Sequence, residues 1–250
     1  MRTMLLGAAA AAAVMAPGLA AADTSGSVAF TYENSDFDYG EWDAYSIGGT
    51  IMHDVSHGLR LQADGRTTLQ SWDGAGGDDS HGYAAAHLSS DMGAWDFGGF
   101  AGFVNYYGDG GVLLGIEART AFSNFSVDGS IAHTDFDYGY DGTAYRLGGA
   151  YFFSPNFALT GGASTTDIDS GVDFDITELS LGAAYQFTNN VEVFGAYTDT
   201  DGDISGGGDY DGDTIQLGFR VNIGGGSLQE NTNDGAWTAA THVANTWMRW

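Results

Sequence analysis

The chain has no cysteine and no lysine, and only two prolines in 250 residues. Without cysteine there is no disulfide framework and no thiolate chemistry. Seven arginines stand against 33 acids, and the formal net charge is -26. Phosphate recognition needs clustered Lys and Arg, so nucleic acid is excluded as a partner. No run of 18 apolar residues follows residue 22, which excludes a spanning helix there. Aromatics make up 14% of the chain, too many for a charged disordered coil.

The first 22 residues differ from the rest. Arg2 precedes an apolar run from Met4 to Met15, then Pro17, Gly18 and the small residues Ala20 to Ala22. That order predicts a secretory signal peptide over 1–22, cut before Asp23, because the run is too short to span a bilayer. Removal takes one arginine and no acid, leaving 6 - 33 = -27.

The remainder alternates between apolar and polar positions. "DTIQLGFRVNI" (213–223) sets Ile215, Leu217, Phe219, Val221 and Ile223 on one face, with Thr214, Gln216, Gly218, Arg220 and Asn222 on the other. Twelve such segments are expected: 27–34, 43–52, 59–70, 81–89, 94–105, 112–121, 125–134, 143–153, 157–165, 176–187, 191–198 and 213–223. Short turns centre on Val55-Ser56, Asp91-Met92, Ser123-Asn124, Pro155-Asn156 and Asn189-Asn190. Longer Gly- and Asp-rich connections alternate with them and hold 21 of the 33 acids, with no arginine. An even strand count with short turns at one end and long connections at the other is the plan of a transmembrane antiparallel up-and-down β-barrel of about 12 strands. A soluble sandwich has no reason to sort connections by end.

Charge placement agrees with that plan. Arg60, Arg66, Arg119, Arg146 and Arg220 fall on the polar parity of their strands, as do Asp64, Asp96, Glu117, Asp128, Glu178 and Glu192. An arginine at the midplane lipid face costs about 2 to 4 kcal/mol, so these eleven residues are expected to line the lumen. Tyr45, Tyr83, Phe103, Tyr106, Tyr145 and Tyr197 near the long connections, and Trp95, Phe122, Phe125, Phe153, Phe157 and Phe187 near the short turns, predict two interfacial girdles. Small inward residues such as Gly48, Gly98, Gly115, Gly148, Gly182 and Gly218 predict open volume inside.

From residue 23 to 223 the chain resembles Gram-negative outer-membrane β-barrel proteins of the porin-like group. The resemblance implies the cell outer membrane, contact with its lipid and lipopolysaccharide, insertion by the barrel-assembly machinery, and passage of small hydrophilic solutes. The chain departs from large porins in its lower strand count and in the short third connection "YYGDGG". It departs again in a tail, 224–250. Family members end in an aromatic residue that closes the last strand; Trp250 is terminal, yet Ile223 ends the clearest strand.

No catalytic residue and no resident cofactor is expected. His81 lies in a polar stretch and reads as solvated, and His133 shares the lipid-facing parity of Ile131. Asp199, Asp201, Asp203, Asp209, Asp211 and Asp213 crowd one Gly-rich connection and offer weak sites for a divalent cation such as Ca²⁺. They lack EF-hand order, and a solvated acidic loop is the preferred reading. The tail reads as a helix after Asp234, as an extra strand or as a frayed end, with a plug, a partner contact or an assembly signal as its uses. The expected function is passive, cation-preferring conduction. The alternative is a closed structural barrel whose acidic loops bind divalent cations or a surface partner.

Overall fold

The computed structural model describes residues 24–56, 58–72, 78–106, 108–137, 139–188 and 190–248. The expected signal peptide and the terminal Trp250 lie outside them. Twelve strands form one closed antiparallel barrel, each paired with its chain neighbours and β1 with β12. They are β1 (Thr24–Phe37), β2 (Gly40–Ser56), β3 (Leu59–Trp72), β4 (Asp78–Asp91), β5 (Asp96–Tyr106), β6 (Asp109–Phe122), β7 (Phe125–Phe136), β8 (Asp141–Ser154), β9 (Phe157–Asp169), β10 (Asp173–Gln186), β11 (Val191–Ile204) and β12 (Gly208–Ile223). Closure leaves no edge strand, so the wall's backbone is paired without water, with register shifts at Asp54/Ser56 and Phe152/Ser154 beside the short turns.

The strands are longer than expected because the Asp- and Gly-rich connections continue the ladder. Asp36 pairs with Glu41, and Asp203 with Asp209. The first "loop" shrinks to Asp38 and Tyr39, and the last to Ser205–Gly207. Fourteen residues at about 3.4 Å each, tilted by about 40°, make a wall about 36 Å tall against an apolar band of about 25 Å. The acidic ends therefore stand above the membrane as wall.

Alternation assigns the faces. Phe103 is 72% exposed and Leu181 66%, and Ile116, Leu147, Leu179 and Leu217 point outward with them. Outward rings form the lower girdle, where Phe122 stacks on Phe125 at 4.4 Å and Tyr185 meets Phe187 edge-on at 4.9 Å. Tyr45, Phe103, Tyr145 and Tyr197 are exposed at the upper level. Tyr83 and Tyr106 correct the expected girdle: both are turned inward, packed with the buried lumen cluster. Parity accounts for it, since Tyr83 pairs with Arg66 across β3–β4 and faces the lumen with it.

After Ile223 the chain turns back into the barrel. Gly224, Gly225 and Gly226 all have positive φ (112°, 79° and 103°), a run open only to glycine. Two helices follow, α1 (Leu228–Asn233) and α2 (Ala239–Met248). Ser227 and Glu230 close a capping box at the start of α1.

Candidate functional site: the lumen and its C-terminal tail

The inward face of the wall is charged, and its charges are matched within it. Arg60 meets Asp54 at 2.8 Å, Arg66 meets Glu33 at 2.5 Å, Arg119 meets Asp96 at 3.0 Å, Arg220 meets Glu192 at 2.9 Å, and Arg146 pairs with Asp128. Arginines and carboxylates thus alternate around the wall, with no separate arginine ladder. Asp64, Glu117 and Glu178 are additional acids. His87 bridges the first two: Nδ1 is 2.6 Å from Glu117 Oε1, and Asp64 Oδ1 lies 2.8 Å from Nε2, off its N–H line. Glu178 accepts from Ser164 and from Thr246 of α2, both at 3.0 Å.

Small inward residues permit these contacts, and the expectation that they create open volume holds at Gly48, which borders a cavity, but is corrected at Gly98, Gly115 and Gly218. Gly98 lies on β5 between Ser89 and Glu117, and a Cβ there would stand 3.1 Å from Glu117 Oε1. Gly48 lies opposite Arg66, which reaches across β2 to Glu33 on β1. Elsewhere the missing side chain admits a ring. The space beside Gly115 is taken by Phe100, beside Gly218 by Phe194, and beside Gly202 by Tyr210.

Glu33, only 4% exposed, joins the lumen residues beyond those expected, on the inward parity of Ser35. His81 is also corrected. It is fully buried on β4, with Nε2 2.7 Å from Gln70 Oε1 and its ring 5.1 Å from Tyr106. The reason is that β4 begins at Asp78, three residues before the expected strand start at 81, so His81 lies within the wall and turns inward. His133 faces outward beside Thr143.

The tail occupies part of this lumen. Leu228 of α1 packs on Ala150, Phe152, Ala158 and Ala184 near the short turns. The connector then crosses to β3 and β6. Arg60 donates to the Asp234 carbonyl at 2.7 Å and Arg119 to that of Gly235 at 3.0 Å. Gln62 grips Trp237 at both backbone atoms, donating to its carbonyl at 2.9 Å and accepting from its N–H at 2.8 Å. The Arg119 guanidinium lies 4.5 Å over the Trp237 ring. From there α2 rises, and Ala239, Ala240, Val243 and Ala244 pack on inward apolar residues of β4 to β10, including Phe100, Leu113, Phe136, Ile168 and Ile176. Tyr83 contacts Thr241, and Arg66 donates to Asn245 at 2.8 Å.

Space remains beside the tail. A cavity of about 510 Å³ runs between it and the wall, bordered by Thr31, Gly48, Arg60, Gln216 and Arg220 on one side and Trp237 and Asn245 on the other. At the outer end, inward Phe37, Trp42 and Tyr210 cluster with Trp72.

The acidic connections form a collar on the outer face of the wall. Asp167, Asp175, Asp203 and Asp209 face one another in register across β9 to β12. Asp135, Asp141, Asp169 and Asp173 do so across β7 to β10. The six aspartates from Asp199 to Asp213 resolve into three facing pairs. Among the described residues no group of three or more His, Cys, Asp or Glu is gathered for a metal.

No protein-family model matches the sequence, and no curated protein is significantly similar to it. Solved structures do match. The COG4313 outer membrane channel from Pseudomonas putida F1 superposes with TM-score 0.62 at 15% identity, over 80% of this chain and 95% of that one. The CymD monoaromatic hydrocarbon channel gives 0.57 at 10%, over 80% and 88%. The translocator domain of the autotransporter NalP from Neisseria meningitidis gives 0.50 at 12%, over 88% and 95%. This chain has the fold of an outer-membrane β-barrel, with the apolar belt such a barrel turns toward lipid.

Proposed function

We propose that the protein is an outer-membrane channel for passive diffusion of small hydrophilic solutes, with a preference for cations. The observation that carries the reading is the polar, charge-matched inward face bordering a cavity of about 510 Å³. A closed structural barrel has no need of charged side chains on a wall that encloses free space. The likeness in fold to two proteins described as channels supports the same reading. Solutes pass beside the tail, along the wall of β1, β2, β3 and β12.

Cation preference follows from the balance of charge. Every arginine named above has its own wall carboxylate, and Asp64, Glu117 and Glu178 remain as further acids with His87 between two of them. The acidic collar above adds a field of the same sign, which concentrates cations near the outer end and weakens as salt screens it. Reversal potentials across a bilayer in a salt gradient test this. Cation selectivity that declines with rising ionic strength is expected, and anion selectivity at low salt would contradict it.

A closed barrel is the second reading, favoured by the tail and the outer aromatic cluster that together fill much of the lumen. Its acidic collar would then be the working surface, holding divalent cations or a surface partner. Absence of any solute flux through the refolded full chain would favour it.

A further inference from the structure

We infer that the C-terminal tail is an autoinhibitory gate, which swings out of the lumen through the short-turn end as one unit, Ser227–Met248, about a hinge at Gly224–Gly226. This rests on the channel reading and adds a closed and an open state to it.

Topology permits the movement. The tail enters at the end where β12 stops, and it does not thread the wall. Ile223 pairs with Gly26 and Val221 with Val191, so β12 is held on both sides up to the hinge. Departure breaks no strand pairing. The three hinge glycines occupy positive-φ conformations closed to other residues, and the side-chain tie from the wall to the hinge is a hydrogen bond from Gln186 to the Gly226 carbonyl at 2.6 Å, which water can replace.

The electrostatics point the same way. Three arginines hold the tail, yet each also holds a wall carboxylate: Arg60 with Asp54, Arg66 with Glu33, Arg119 with Asp96. What they give the tail are hydrogen bonds to carbonyls and to Asn245, which water can replace. When the tail leaves, none of these arginines loses its counter-ion. The tail does bring His242 to 3.7 Å from Glu178, but it supplies the counter-charge of none of these arginines, as a permanent internal brace would more naturally do, because removing one partner of a buried pair is costly.

The packing sets the resting state. Among the described side chains of α2, the apolar lumen face is Ala239, Ala240, Ala244 and one larger residue, Val243, a modest apolar hold. It nonetheless covers Phe100, Leu113, Ile168 and Ile176, which would meet water in an open lumen. The closed state is therefore the default, and Trp237, clasped by Gln62 and Arg119, is the latch.

The absence of native cysteine allows a direct test in the full chain. Tyr83→Cys and Thr241→Cys are combined, and the two thiols are joined by a short bifunctional reagent that reductant cleaves. Single-channel current is recorded in planar bilayers before and after cleavage, alongside full-length Trp237→Ala. The gate predicts low conductance while joined, a several-fold rise after cleavage, and more frequent wide openings in Trp237→Ala. Conduction that is the same joined and cleaved, and unchanged in Trp237→Ala, overturns the gate and leaves a channel that passes solute around a fixed tail. No current in any of the three overturns the channel reading and the gate with it.

Discussion

Glu33 accepts hydrogen bonds from Arg66 and from Gln216 (2.9 Å), so β1, β3 and β12 converge on one carboxylate. Removing it leaves the Arg66 charge buried beside Asn245 without its main partner. Glu33→Ala is expected to destabilise the barrel by about 3 to 5 kcal/mol, the usual cost of breaking a buried pair. Glu33→Gln, which keeps a hydrogen-bond acceptor, should lose less. Equilibrium refolding in urea with lipid vesicles measures both, and an unchanged midpoint for Glu33→Ala would show that the pair is dispensable. Parity alone placed the arginines on the inward face and Leu217 and Phe219 on the other. It could not show which acid each arginine meets, because Arg66 passes over Gly48 to a strand that is not its neighbour. Spin labels test the parity. Labels at Leu217 and Phe219 should contact lipid-soluble quencher, whereas one at Arg220 should contact aqueous quencher. Aqueous exposure at both Leu217 and Phe219 would defeat the barrel.

At the scale of elements, the twelve strands and the short turns were legible from period-2 alternation and from turn residues such as Pro155-Asn156. The upper strand ends were not, because facing aspartates are a poor sequence for a sheet: like charges directly opposite destabilise it. The β11–β12 hairpin shows the consequence beyond the girdle residue Tyr197. Asp209 facing Asp203 raises the Asp203 carboxyl pKa. Desolvation and then Asp201 raise that of Asp211. A raised carboxyl pKa means that the folded hairpin binds a proton more tightly than the unfolded chain. Repulsion is fully present above the raised value, and stability rises as pH falls through it. A spin label on Ser205→Cys, at the tip, should lose mobility between about pH 7 and the ordinary carboxylate range near pH 4. Mobility that is constant or rises would contradict this. Changing Asp199, Asp201, Asp203, Asp209, Asp211 and Asp213 together to Asn should leave heat-resistant compact migration on a gel intact and remove the pH effect on the tip. Loss of compact migration would mean the collar is needed for folding.

For the whole molecule, the composition already fixed much of the outcome: a cysteine-free, lysine-free, acidic chain with alternating strands closes into a barrel with an apolar outside. The interior was less legible. Inward Phe100, Val104, Leu113 and Ile176 interrupt the polar parity of their strands, and that interruption signals an apolar partner inside the lumen. The partner lies far along the chain in α2, and its alanine-rich sequence alone was equally compatible with a helix, a strand or a frayed end. Seating of the tail narrows the lumen to the space beside Trp237 and Asn245, so the channel reading depends on that space being continuous from end to end.

Liposome swelling by the refolded full chain is the most direct measurement of that claim. Vesicles carrying the protein should swell in an isotonic small sugar at a rate that falls steeply as the sugar grows, because solute must fit beside the tail. Swelling no faster than in protein-free vesicles, even with the smallest solute, would contradict a channel and leave a closed barrel.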